Sequence, residues 1–304
     1  MPISARNLIN STFGIGLALW IGRTMPDKTG KRIARGIADW LAARRSWGMV
    51  RAVRANRWVI SGETLQGAEL DQAVRATFRH TAHSLFTLYH NFQNLEAAIR
   101  LVDIDPLTQE ILNRPKYDSR GLVVVGLHMG NFDLLVQGSG LFGWQAMFMT
   151  LPEVTGGYKT QYDIRRKSGM NLVPASKSGF REAIEHLRKG GLVVTGMDRP
   201  EKGLNYQPMF FNRPAALPAH YVMIALRAQV PVKVGCSRLG SDGKYHVTFS
   251  EPIEMQPYPD RRQEMQNNCE AVLRVAENYI RQTPEQWEMT FPVWPDALDQ
   301  VPVN

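Results

Sequence analysis

Cysteine is scarce in this chain: among 304 residues only Cys236 and Cys269 occur, far apart in sequence. With no metal-ligand neighbours beside them, they exclude a disulfide framework or zinc site and suit a reducing compartment. Both read as small buried hydrophobes. His80 and His83, at i and i+3, are the one histidine pair near ligand spacing, and no metal site is expected from them. Internal repeats and low-complexity tracts are also lacking. So is a run of about 20 apolar residues of the kind a spanning helix needs. The nearest approach is Leu8–Gly22, LINSTFGIGLALWIG, which is short and carries Asn10, Ser11 and Thr12. Arg6 is the only charge before it and no A-x-A-like site follows, which argues against a secretory signal peptide. No G-x-S-x-G elbow occurs, which weakens a serine-hydrolase reading.

What is present is unevenly distributed. The net charge is +8, and between Arg23 and Trp58 ten Lys/Arg stand against Asp27 and Asp39, so this stretch holds the whole excess. Such a cluster points to an anionic partner. Trp40, Trp47 and Trp58 are interleaved with the charges, and an apolar run precedes them. That combination suits a segment lying in a membrane interface, with rings at headgroup level and basic residues on anionic lipid. A nucleic-acid partner is disfavoured by the same apolar, Trp-rich context.

Residues 1–110 read as helical. Ile33, Ala34, Ile37, Ala38 and Leu41 recur at helical spacing, and Val74, Phe78, Leu85 and Leu88 mark a core stripe. Pro106 and Asn113–Arg120 mark a break. From residue 121 strands alternate with helices. Strands are expected at Gly121–Leu127, Trp144–Thr150, Leu192–Gly196, Val230–Ser237 and Tyr245–Phe249. Helices are expected near 131–140, at Ser178–Lys189 with Ser178 as N-cap, at Pro218–Ala228 and at Arg261–Gln282. The fold class expected is therefore α/β: a mostly parallel central sheet flanked by helices, with a helical N-terminal membrane-associating segment. The region 1–110 would contain the membrane-interacting segment 1–58, and 111–304 the α/β core, the two forming one integrated domain.

The chemistry-bearing motif is His128-Met129-Gly130-Asn131-Phe132-Asp133, which follows the first strand directly. In open α/β sheets reactive groups gather where strands end. His128 and Asp133 sit too far round a continuous helix to meet, so His128 must lie in the turn before it, with Gly130 supplying the bend. An imidazole can take the proton from an attacking hydroxyl, and a carboxylate on its other nitrogen fixes the tautomer. Asn131 is placed to cap the helix or touch substrate.

The run GLVVVGLHMGNFDLL resembles the H-x4-D motif of glycerolipid and glycolipid acyltransferases. It is most similar to the branch of the lipid A late acyltransferases and the phosphatidylinositol mannoside acyltransferases. Three further blocks carry the likeness. They are Arg165-Arg166-Lys167-Ser168-Gly169-Met170 with Leu172-Val173-Pro174, then Gly196-Met197-Asp198-Arg199-Pro200, then Pro208-Met209-Phe210-Phe211 followed by Ala215-Ala216 and Pro218-Ala219. Pro200 and Asn212 depart from the family's usual acid and glycine. The resemblance implies transfer of an acyl group from acyl-CoA or acyl carrier protein to a lipid or glycolipid hydroxyl, with no other cofactor. It maps the catalytic pair onto His128 and Asp133. It puts Arg165, Arg166, Asp198 and Arg199 at the donor or acceptor site, with Phe210 and Phe211 as core or acyl-chain wall. It also implies a place on the cytoplasmic face of the cell membrane, peripheral or N-terminally anchored. The rivals are a non-catalytic lipid-binding protein and a thioesterase using the same pair on water.

Overall fold

The computed structural model describes residues 20–91, 94–113, 120–139, 144–152, 159, 162–163, 165–166, 169–201, 203–204 and 206–302. The apolar run up to residue 19 lies outside the described residues, as do Lys167 and Ser168. Among the described residues the named elements begin with helices α1 (Asp27–Ala42), α2 (Gly48–Ile60), α3 (Gly67–His90) and the short α4 (Leu95–Ile99). Then follow β1 (Val102–Ile104), α5 (Pro106–Asn113), β2 (Leu122–Gly126), α6 (Phe132–Gly138), β3 (Ala146–Thr150) and β4 (Asn171–Pro174). The rest is α7 (Lys177–Arg188), β5 (Leu192–Gly196), β6 (Met209–Phe210), β7 (Arg213–Pro214), α8 (His220–Ala228), β8 (Val232–Leu239), β9 (Tyr245–Phe249) and α9 (Arg261–Gln282).

The protein is α/β, built on a seven-stranded mixed sheet in the order β1-β9-β8-β2-β5-β3-β4. Strands β8, β2, β5, β3 and β4 run parallel, while β9 is antiparallel to β8. The central strands are continuous Val/Leu runs because helices cover both sheet faces. Alternating side chains divide into two cores. Val123, Val125, Val193 and Val232 join a large cluster with α2, α3, α7, α8 and α9. Leu122, Val124, Phe148 and Leu192 join a smaller one on the other face.

The expected strands and long helices appear with boundary shifts of one or two residues. Two readings are corrected. Val102–Ile104, inside the stretch read as helical, is a strand at the sheet edge, paired in parallel with β9. The cap of α7 is Ser176, whose hydroxyl oxygen accepts from the Gly179 amide at 3.2 Å; Ser178 lies inside the helix. On α1, Ala38 is buried, but Ile33, Ile37 and Trp40 are 37%, 45% and 49% exposed. That apolar stripe faces outward. Helix α1 seats on α3 through Gly30, where a Cβ would fall 2.1 Å from the Phe86 ring, and through the Arg79–Asp39 pair at 2.6 and 2.8 Å. Both cysteines are buried and free. Among the described residues no helix is long and apolar enough to cross a membrane.

Candidate active site

Strands β2 and β5 are in-register parallel neighbours, Leu122 opposite Leu192 and Gly126 opposite Gly196. Two residues beyond each glycine stand His128 and Asp198, so the register alone brings them together past the strand ends. Nδ1 of His128 lies 2.6 Å from Oδ1 of Asp198. The His128 main-chain N–H donates to Oδ2 at 2.9 Å, and the Trp287 indole N–H donates to the same oxygen at 2.8 Å. Facing a carboxylate, Nδ1 carries the proton and Nε2 keeps its lone pair.

The turn after β2 is tightly held. Gly130 adopts φ +64°, and a Cβ there would fall 2.3 Å from the Ser237 carbonyl oxygen, so glycine is required on both counts. Its own carbonyl accepts from the Ser84 hydroxyl at 3.0 Å and faces Nε2 of His80 at 3.4 Å. Asn131 is buried; its Oδ1 accepts from the Leu134 amide and its Nδ2 donates to the Ser84 carbonyl. The capping reading thus holds, and this side chain is spent on the scaffold.

The His128 ring, 27% exposed, lines a cavity of about 1280 Å³, larger than the roughly 300–1,000 Å³ of ordinary ligand pockets. The cavity lies over the C-terminal ends of the central strands, where chain order reverses and ligands bind in such sheets. Gly196, Gly126 and Gly235 face one another across β5, β2 and β8 and all line it. They share the sheet face of Val124 and Val194; at Gly126 and Gly196 the absent side chains leave a slot below His128, while the Phe249 ring packs against Gly235. That slot leads toward Val124, Phe148, Leu172, Val194 and Phe249, which also line the cavity. Arg165, Arg199, Arg261 and Arg262 line it as well and give it a cationic rim.

Charge is sorted by environment. Burial pulls the His128 imidazole down; the Asp198 charge, the hydrogen bond to it and the Asp133 charge outweigh that, and the net shift is upward. Burial pushes Asp198 up, but the His128 charge and its three donors win, holding it below the usual carboxylate range. Glu288 also lines the cavity; burial, with the Asp133 charge adding to it, pushes this acid up to about 8, so it is neutral at pH 7. His220, in the same lining and 2.8 Å from the Thr195 hydroxyl, is pushed by burial down to about 4.

The sequence profile of the bacterial lipid A biosynthesis acyltransferases matches residues 4–295. The chain belongs to that family. It is accordingly an acyltransferase of lipid biosynthesis. A search of curated proteins found no match.

In this acyltransferase the expected residues are only partly brought together. His128, Asp133, Arg165 and Arg199 meet at the cavity. The carboxylate that touches the histidine is Asp198, however, and Asp133 instead pairs with Arg165. Arg199 lies over the Phe291 ring at 4.3 Å. Asp198, fully buried, stands behind the histidine and is not part of the lining. Arg166 is exposed, and it too is absent from the lining. Phe210 and Phe211 pack against Trp294 in the core, outside the cavity, so the acyl-wall reading is set aside. Among the described residues no group of three or more His, Cys, Asp or Glu could hold a metal ion. Trp287, Glu288, His220 and the Arg261-Arg262 pair were not anticipated from sequence. Only Asp198's role was recoverable: LVVVGLH and LVVTGMD are parallel segments ending in His and Asp.

Proposed function

We propose that this acyltransferase moves a fatty acyl group from a thioester donor, acyl-CoA or acyl carrier protein, to a hydroxyl of a membrane lipid or glycolipid, with His128 as general base. Nε2 takes the proton of the acceptor hydroxyl as its oxygen attacks the thioester carbonyl. Asp198 holds the ring and stabilises the imidazolium. The tetrahedral intermediate then collapses, the C–S bond breaks, and the thiolate leaves with the proton returned by His128. Beyond the donor co-substrate the scheme needs no cofactor. The acyl chain enters the slot over Gly126 and Gly196. Arg165, Arg199, Arg261 and Arg262 meet phosphates of the donor or acceptor. Asp133 acts by adding negative charge near the imidazolium and by fixing Arg165.

One observation carries the reading: a histidine with its Nδ1 on a buried carboxylate stands at the head of a large, partly apolar cavity. His128→Ala should abolish transfer of labelled acyl groups into a total lipid extract while leaving folding intact; full activity in that variant would overturn the reading. Mass spectrometry of the product separates an acylated lipid from the free fatty acid of a thioesterase.

The N-terminal helices supply the membrane contact. Ile33, Ile37 and Trp40 form one stripe on α1, with Trp20 also exposed. Lys28, Arg32 and Arg35 are exposed on the same helix, and Arg44 stacks on Trp40 at 4.4 Å. The stripe lies in the interface and the cations meet anionic headgroups, holding the protein peripherally at the cytoplasmic face. Arg54 and Arg57 are buried, so they are not part of that surface.

A further inference from the structure

The segment after α9 docks on the histidine turn. Met129 and Trp287 form an antiparallel bridge. The Gly130 amide donates to the Gln286 carbonyl at 3.0 Å, and the Glu288 amide to the His128 carbonyl at 2.8 Å. Gln286 is itself fixed, accepting from the Leu239 amide at 2.8 Å and donating to the Leu239 carbonyl at 3.0 Å. Trp287 is 2% exposed, and its ring stands edge-on to Phe210 and Trp294. With ring and backbone both held, its N–H reaches Asp198 from a rigid support.

That contact decides what Asp198 can do. A carboxylate fully removed from water needs donors to remain charged. Oδ2 receives two, from the His128 main chain and from Trp287, while Oδ1 is left to Nδ1 of the histidine. The two fixed donors stop the carboxylate from rotating. The imidazole therefore meets a single acceptor in a single orientation. Resting on His128 as general base, we propose that Trp287 is a positioning residue for that base, acting through Asp198 by its indole N–H.

The test compares variants of the full chain. Trp287→Phe keeps a ring and loses the donor; 3-benzothienylalanine at 287 keeps the bicyclic shape with sulfur in place of N–H, should phenylalanine fail to fold. Either should lower kcat on the order of ten- to a hundred-fold, with KM within about twofold of wild type. In an Asp198→Ala background the same change should cost less than about twofold further, because its route is gone. The Trp287 indole N–H resonance should shift when Asp198 becomes Ala. Wild-type kcat in the benzothienylalanine protein, or an equal loss with and without Asp198, would overturn the positioning role while His128→Ala remained inactive. Full activity in His128→Ala would overturn this role together with the base itself.

Discussion

Replacing Asp198 by asparagine separates the two carboxylates that compete for the role of partner to His128. The amide has the carboxylate's shape, so its effect is set by hydrogens alone. Two N–H groups, from the His128 main chain and Trp287, converge on the Oδ2 position at 2.9 and 2.8 Å. An amide nitrogen there would set donor against donor twice in a site closed to water, at roughly 1–3 kcal/mol for each unsatisfied group. The carbonyl oxygen of the new side chain must therefore take that position, and its NH2 group faces Nδ1 of the histidine. Nδ1 can then only accept, so the ring proton moves to Nε2, the nitrogen that is to receive the substrate's proton. The same carboxylate-to-amide change in a serine-protease triad costs about 10⁴ in kcat for this reason. By that analogy a loss of about 10³–10⁴ in kcat is expected here, with the fold unchanged.

Asp133→Asn removes the partner of Arg165 and one of the charges that raise His128, but leaves all three Asp198 contacts in place. Its cost should be about tenfold or less, in the range of a partly buried ion pair. The assay is transfer of a radiolabelled acyl group from acyl-CoA or acyl carrier protein into extracted lipid, followed across pH. The reverse ranking, with Asp198→Asn within about tenfold of wild type and Asp133→Asn nearly dead, would refute the assignment of the orienting carboxylate.

Other outcomes follow from the same geometry. The base must be neutral and its pKa is raised, so kcat/KM should climb with pH along an acid limb above the ordinary histidine value of about 6.5; a limb well below that value would contradict the Asp198 pairing. Glu288 stays protonated up to about 8 in the folded chain but ionises near its usual 4.5 when unfolded, so it costs stability progressively as pH rises between those values. Glu288→Gln should therefore gain stability relative to wild type in denaturant melts at pH 8 compared with pH 5, and an unchanged difference would show an ordinary acid. At Gly126 a Cβ meets only the Thr195 carbonyl oxygen, at 4.0 Å, so Gly126→Ala fits while narrowing the slot. It should favour shorter acyl donors, with roughly tenfold or more lost on long ones; an unshifted chain-length profile places the acyl chain elsewhere. Ile37→Asp with Trp40→Asp should cut flotation with anionic vesicles by roughly tenfold or more, given about 1.5–3 kcal/mol per large apolar side chain buried, and leave activity on detergent-dispersed substrate near wild type.

The sequence carried the sheet because its central strands β2 and β5 are short Val-rich runs, LVVVG and LVVTG, each ending in glycine, and it carried His128 because that histidine directly follows the first of them. It could not show β1 and β4, three and four residues long, which are strands only because longer neighbours offer them an edge. Helical spacing marks Ile33 and Ile37 as one apolar face without saying what covers it, and in the fold that face is exposed. The sequence leaves Phe210 and Phe211 as core or acyl-chain wall, and Trp287 and Trp294, far along the chain, decide it by enclosing Phe210 in the core. Trp287 left no local signal: its role needs a partner 89 residues earlier, and a tryptophan after Pro-Glu-Gln reads as an ordinary core anchor.

At the partner of His128, resemblance and strand register point to different carboxylates. The H-x4-D resemblance pairs His128 with Asp133, which in the fold lines the same cavity but pairs with Arg165. In a parallel sheet adjacency is set by register instead. Gly126 opposite Gly196 fixes the residues two positions beyond them as neighbours, and only then does Asp198, fully buried against the histidine ring, become a carboxylate that must be accounted for. A site built this way depends on the strand pair as a unit. Any change that slipped β5 by one residue against β2 would move Asp198 to the other sheet face and remove the base's partner without touching a catalytic residue.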